Sequence, residues 1–406
     1  MPRALPALSK PLLLAFALAL AGCGGARPLS EVEAVPPSSG KNMRLYFVTD
    51  RNPSRPGEGE LIYTAARSSS MALGTAHLRR AESRAEMGKP PKLTQVHEAL
   101  RFPATPLPFS QDKGVILPDL AATARYGESS SALKAELSQA LRESGQDEVL
   151  LYVHGFNSSF EESIETLARV WHSVGEGPVP LAYSWPAGNP GLFGYFKDRE
   201  SGEFSIYHLK ETLRLITATP GVGRIHIIAH SRGSDVLTTA LRELVIETRA
   251  AGRNPRQSLR IENLILAAPD LDFGVVRQRL IAEKFGPAFG RITVYINPED
   301  SALGLAQTLM AGTRFGRLSY NQLEPNEREI FKQIGNVDFI NVSAVTGKSS
   351  HAYFRNNPEV LMDMATLLKS EAPPDSPQRN LIHAEANFWR LLLPRDLRVL
   401  PERMDP

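Results

Sequence analysis

The chain has 406 residues, 42% of them hydrophobic, enough to bury a large core as one big domain or two ordinary ones. Lys and Arg total 46 against 44 Asp and Glu. The two excess cations, Arg3 and Lys10, lie in the N-terminal segment, so the remainder is formally neutral. That balance lacks the basic stripe of a dedicated nucleic-acid binder, and no nucleic-acid partner is expected.

In chain order, Arg3 and Lys10 precede an apolar run over residues 11–21. It is too short to span a bilayer and has the size of the hydrophobic part of an export signal. The run ends in Leu20-Ala21-Gly22-Cys23, which resembles the lipobox of bacterial lipoproteins, where the cysteine is acylated and becomes the first mature residue. Cys23 is the only cysteine, so no intrachain disulfide can form. The expectation is a signal peptide over 1–22, lipidation of Cys23, and a membrane contact through that N-terminal anchor. Gly24 in place of aspartate resembles lipoproteins sorted to the outer membrane. The expected location is therefore the cell envelope, at the outer membrane facing the periplasm. A Gly-, Pro- and Ser-rich stretch follows, and residues 23–42 read as a flexible tether.

The folded body is expected over 43–370, with 371–406 as a C-terminal extension. A first strand is predicted over 43–49, and residues 50–123 are less regular, with strand-like pieces at 61–65 and 114–117. Regular alternation then sets in. Helix 133–144 leads to strand 148–153. Helix 159–174 opens on the capping box Ser159-x-x-Glu162. Strand 181–185, helix 206–217, strand 225–229 and helix 235–249 follow. Further strands are predicted at 259–267, 292–296 and 339–342, and a last helix at 358–369. Continuously apolar strands alternating with helices indicate an α/β fold, with a mostly parallel central sheet and helices on both faces. The Gly-rich stretch 188–202 carries Leu192, Phe193, Tyr195 and Phe196. It reads either as an apolar lid over an acyl pocket or as a packed loop. The tail segment 381–393, with Phe388 and Trp389, is expected to dock onto the body in preference to a membrane.

The most informative motif is Ala229-His230-Ser231-Arg232-Gly233, where an apolar strand meets a helix. Its form is that of a nucleophile elbow, with small residues flanking a serine held in strained geometry. Alanine stands where the usual pattern has its first glycine. A serine hydroxyl is a poor nucleophile at neutral pH and needs a base that a third group orients. In the chain order of α/β-hydrolases the acid and then the histidine follow the serine. Of nine histidines only His351 and His383 lie after Ser231. His351 sits in a loop between the last predicted strand and helix, and is the candidate base. His383 lies in the tail. Asp300 leads among acids because it follows the penultimate strand; Glu299, Asp270 and Asp272 remain open, the last two also as helix caps. Oxyanion donors are expected from the amides of Arg232, after the nucleophile, and Phe156, in the loop His154-Gly155-Phe156-Asn157. His154 is read as a brace for that loop. His226 and His230 share a strand face without a third ligand pattern, so neither a metal nor another cofactor is expected.

Val153-His154-Gly155-Phe156-Asn157, Tyr183-Ser184-Trp185-Pro186, Ala229 to Gly233, Ala268-Pro269-Asp270 and Asp300-Ser301-Ala302-Leu303 together resemble a bacterial α/β-hydrolase family. Its members are described as esterase- or lipase-like, with no assigned substrate. The resemblance covers roughly 43–368 and implies an α/β-hydrolase fold with a triad of Ser231, Asp300 and His351. The expected activity is that of a serine hydrolase acting on a small ester or acyl substrate. Acyl transfer or amide hydrolysis by the same triad stays open, as does a non-catalytic binding lipoprotein.

Overall fold

A computed structural model describes residues 42–54, 61–80, 91–346 and 351–393. The expected signal peptide, Cys23 and nearly all of the tether lie outside the described residues.

The chain opens with β1 (Asn42–Ser54), β2 (Ile62–Arg79) and β3 (Lys92–Arg101), followed by a separate hairpin of β4 (Phe109–Asp112) and β5 (Val115–Pro118). Alternation then begins with α1 (Leu120–Ser144), β6 (Glu148–Val153), α2 (Phe160–Ser173), β7 (Val179–Ser184), α3 (Gly191–Thr217), β8 (Arg224–His230) and α4 (Gly233–Ala250). Short turns aside, β9 (Ile261–Ala267), β10 (Arg291–Ile296), α5 (Ser301–Met310), α6 (Pro325–Gln333), β11 (Val337–Asn341), α7 (Pro358–Ser370), β12 (Leu381–Glu385) and β13 (Phe388–Leu391) complete it.

Eleven strands form one sheet in the order β12-β13-β11-β10-β9-β8-β6-β7-β1-β2-β3. From β13 to β1 every neighbour is parallel, and the strands at both ends add antiparallel. The two-residue period of a strand divides the core into two layers. Val149, Leu151 and Val153 of β6 pack with α1, α3 and α4. Leu150 and Tyr152 pack with α2 and α7 on the opposite face. Each such buried side chain contributes roughly 1.5–3 kcal/mol relative to exposure, so both faces need their helices. The expected mostly parallel sheet, covered on both sides, is what forms.

The topology itself selects a place for chemistry. From β6 the chain passes through α2 to β7 on one side; α3 then carries it back to β8 on the other side. β6 and β8 are neighbours in register Val153 to Ala229, and the segments leaving them diverge. Such a switch point opens a crevice beyond the strands' C-terminal ends.

Several elements differ from the sequence reading, α5 and α6 among them, which it did not contain. β3 escaped it because Lys-Leu-Thr-Gln-Val-His-Glu-Ala-Leu-Arg is an edge strand, polar on its open side. α1 begins at Leu120, capped by Asp119 on the Ala122 amide (2.7 Å), and not at 133; its first turns are largely exposed and lack the apolar stripe that marks a helix in sequence. The Gly-rich stretch is the start of α3: Gly191 carries φ +77° just after Pro190, and Tyr195, Asp198, Ser201 and Gly202 face inward at helical spacing. Of the four apolar residues in it only Tyr195 is buried, while Phe193 and Phe196 are exposed, so the stretch is a helix and not a packed loop. In the tail, β13 adds to β11 and Phe388 stacks on Phe339 at 4.4 Å, so the sheet continues past residue 370.

Candidate active site

Ser231 stands at the first position after β8 with φ +51°, in the left-handed region that an L-residue enters at a cost. Backbone bonds hold it on both sides: its amide donates to the Ala267 carbonyl (3.0 Å), and its carbonyl accepts from the Asp270 amide (3.1 Å). The glycines nearby are required by space. A Cβ at Gly233 would lie 2.1 Å from the His154 carbonyl oxygen, and one at Gly155 would lie 2.9 Å from the Ser231 Cβ. Ala229 is fully buried in the layer of α3 and α4.

His351 follows β11 and packs beneath the end of β8. Its Nε2 is 2.9 Å from the Ser231 Oγ, and its Nδ1 is 2.7 Å from the Asp300 Oδ2. Asp300 is wholly buried and caps α5 through Oδ1 on the Leu303 amide (3.0 Å). Burial alone would lower the His351 pKa, but the charge and hydrogen bond of Asp300 outweigh it, and the net shift is upward. Beneath them His230 stacks on Phe354 (4.4 Å), and its Nε2 lies 3.3 Å from the His351 carbonyl oxygen. Burial, reinforced by His351, holds His230 far below its ordinary pKa and therefore neutral.

The other acids are elsewhere engaged. Asp270 accepts from the Tyr195 hydroxyl (2.7 Å) and lies 3.7 Å from the Arg314 guanidinium. Asp272 caps a short turn through the Val275 amide (3.0 Å), and Glu299 faces solvent. His383 is exposed on the edge hairpin, 2.8 Å from the Ala386 carbonyl. His226 pairs with Asn263 (3.0 Å) on β9, far along β8 from Ser231. Among the acids of the described residues, only Asp300 bonds to His351.

The Phe156 turn follows β6 and abuts the elbow, as the Gly155 spacing requires. Among the described residues, neither the Phe156 nor the Arg232 amide finds a hydrogen-bond acceptor. His154 is fully buried, stacks on Trp185 at 5.0 Å with rings 7° apart, and has its Nδ1 2.9 Å from the Gly155 carbonyl. Burial, together with the Arg51 charge, pushes its pKa down to about 3. It is a neutral brace at physiological pH.

Sequence reasoning missed Asp198 and Arg51 here. Asp198 of α3 accepts from the Asn157 amide (2.9 Å) and the Asn189 side chain (2.6 Å), tying the Phe156 turn to the next loop. Tyr195 meets Phe156 edge to face at 5.3 Å, and Leu192, Leu305, Leu309 and Met310 pack around that pair. Arg51 lies under the same turn. An Asp-Arg pair directly continuing the apolar run of β1 was the available signal for it.

Among solved structures, a carboxyl esterase 2 from the mycorrhizal fungus Tuber melanosporum is 11% identical, over 89% of this chain and 86% of that one. The TM-score is 0.25, and a likeness of that size carries no argument. No curated protein matches the chain. A family model described as alpha/beta hydrolase of unknown function (DUF900) matches residues 129–370, more than half of the chain. Those residues run from α1 to the end of α7 and include Ser231, Asp300 and His351, so the chain belongs to that α/β-hydrolase family.

Proposed function

We propose that the protein is a serine hydrolase that cleaves carboxylic esters through an acyl-enzyme. One observation carries this reading: a buried histidine bridges a strained serine and a buried aspartate, at 2.9 and 2.7 Å. In the proposed reaction the Ser231 Oγ attacks the ester carbonyl carbon while His351 Nε2 takes its proton. Asp300 stabilises the imidazolium and keeps the ring oriented. The carbonyl oxygen, now anionic, accepts hydrogen bonds from the Phe156 and Arg232 amides. Collapse breaks the ester C–O bond, and His351 returns the proton to the leaving alcohol. A water molecule, deprotonated by the same His351, then attacks the acyl-enzyme and releases the acid.

Labelling with a fluorophosphonate tests this. Wild-type protein should react and Ser231→Ala should not; a folded wild type that resists labelling would sink the reading. Acyl transfer and amide hydrolysis would use the same residues, and product analysis with added acceptor alcohols or amines separates them. A non-catalytic binding role would leave Ser231→Ala able to rescue a deletion phenotype.

We also propose that the protein reaches the envelope through an acyl chain on Cys23. Metabolic labelling with a radioactive fatty acid should mark the wild type and spare Cys23→Ser. Equal labelling of both would exclude it.

A further inference from the structure

The Phe156 turn rests on a buried cation. β1 runs past its apolar residues into Thr49-Asp50-Arg51, and Arg51 is only 1% exposed. Its guanidinium donates from Nε to the Ser184 Oγ (2.9 Å) and from Nη1 to the carbonyls of Ala187 (2.6 Å) and Thr64 (3.3 Å). From Nη2 it donates to the Ser158 carbonyl (2.7 Å) and lies 3.3 Å from the His154 Nε2, which is also 3.1 Å from the Trp185 carbonyl.

Two features separate this arrangement from an ordinary buried ion pair. Every direct partner is neutral, and among the described residues no carboxylate lies within ion-pair distance of Arg51. Asp50, Asp198, Glu161 and Glu162 act on it only at longer range. Burial lowers its pKa to about 10, which leaves it charged at neutral pH. The second feature is where the bonds go. His154 and Ser158 stand two residues before and two residues after Phe156, so one planar group grips both ends of the turn whose middle amide is a proposed oxyanion donor. Ala187 extends the grip to the loop after β7. Asp198 likewise holds Asn157 in the first loop and Gly188 (3.1 Å) in the second. A cation and an anion thus fasten the same two loops. Lysine would keep the charge of Arg51 but could not span these acceptors, because its three donors sit on a single nitrogen.

We propose that Arg51 is a positioning residue for the reaction, holding the 154–158 turn so that the Phe156 amide meets the developing oxyanion. This rests on the serine-hydrolase reading above. The cost of a charge desolvated without a counterion is offset by a turn fixed before the substrate arrives. It also leaves a fixed positive charge behind the turn, in a medium where such a charge acts strongly.

The test compares wild type, Arg51→Lys and Arg51→Ala with a p-nitrophenyl butyrate substrate, folding being checked by circular dichroism. Loss of one oxyanion donor costs about 10²–10³ in rate. Arg51→Lys should therefore lose about 10²-fold in kcat, with KM within about threefold, since the ground-state ester makes little use of the donor. Arg51→Ala should recover part of that loss in millimolar guanidinium, and none in equal ammonium. A folded Arg51→Lys with wild-type kcat would overturn the proposal, as would a KM rise at constant kcat. Should both variants fail to fold, Ser184→Ala removes the acceptor of Nε, an oxygen that also accepts from the Ser163 hydroxyl at 3.0 Å, and leaves the other Arg51 bonds in place. It should lower kcat roughly 3- to 10-fold at unchanged KM, and an unchanged kcat there would equally overturn the proposal. A wild type that resists fluorophosphonate would instead defeat the hydrolase reading, so the two failures are distinguishable.

Discussion

Asp300 meets His351 at 2.7 Å through Oδ2 while its Oδ1 caps α5 on the Leu303 amide. One carboxylate therefore orients the imidazole and starts a helix, and the two roles can be pulled apart. Asparagine caps helices about as well as aspartate, so Asp300→Asn should change stability by no more than about 1 kcal/mol. It cannot stabilise an imidazolium, and kcat should fall by about 10³–10⁴. Paired thermal melts and ester hydrolysis would check both; a variant with near-wild-type kcat would remove Asp300 from the mechanism.

The acidic limb of activity follows from the upward shift of His351. In the proposed mechanism the base must be neutral to accept the serine proton, so kcat/KM should fall as pH drops through the pKa of folded His351. Asp300 raises that pKa, which places the midpoint above the ordinary value of about 6.5. For stability the sign is the reverse. A raised histidine pKa contributes stability that is fully present below about 6.5 and lost as pH rises through the folded value. A pH–rate profile from 5 to 9 measures the limb. In Asp300→Asn it should move to lower pH, and a wild-type midpoint at or below 6.5 would contradict the argument.

At Gly233 the close approach is steric and leaves little freedom. A methyl group there would sit 2.1 Å from the His154 carbonyl oxygen, and both atoms belong to well-anchored backbone. Gly233→Ala should destabilise by about 1–3 kcal/mol as overpacking does, and should slow fluorophosphonate labelling of Ser231. A denaturant midpoint equal to wild type would refute the contact.

Arg379 and Asp363 form a two-bonded ion pair (2.7 and 2.8 Å) that is almost completely buried, and the Tyr295 hydroxyl adds a third bond to the same carboxylate (2.7 Å). Removing one member leaves the other charged and unpaired, at a cost of about 3–5 kcal/mol. Arg379→Met should lower the melting midpoint by well over 5 °C while leaving KM unchanged. A midpoint within one degree of wild type would show that the tail contributes nothing to the body.

The readable part of this fold was the part with strong periodicity. Strand 148–153 and the capping box at Ser159 and Glu162 were legible because an apolar hexapeptide and a paired cap are local signals. Ser231, His351 and Asp300 were legible as an order along the chain, which the switch-point topology converts into proximity. Arg51 and Asp198 were not, because a lone charge in a strand or helix reads as solvated until the surrounding carbonyls and amides are in view. β12 and β13 were seen only as an apolar tail, since their partner β11 lies some fifty residues earlier.

That last pairing bears on how the chain behaves when it is incomplete. Until Phe388 has been made or while it is missing, the backbone of β11 presents an open row of N–H and C=O groups beside a flat apolar surface. A chain shortened by proteolysis before β13 would offer that row to another molecule. Its failure would appear as self-association at high concentration, before any loss of the serine's reactivity in dilute solution.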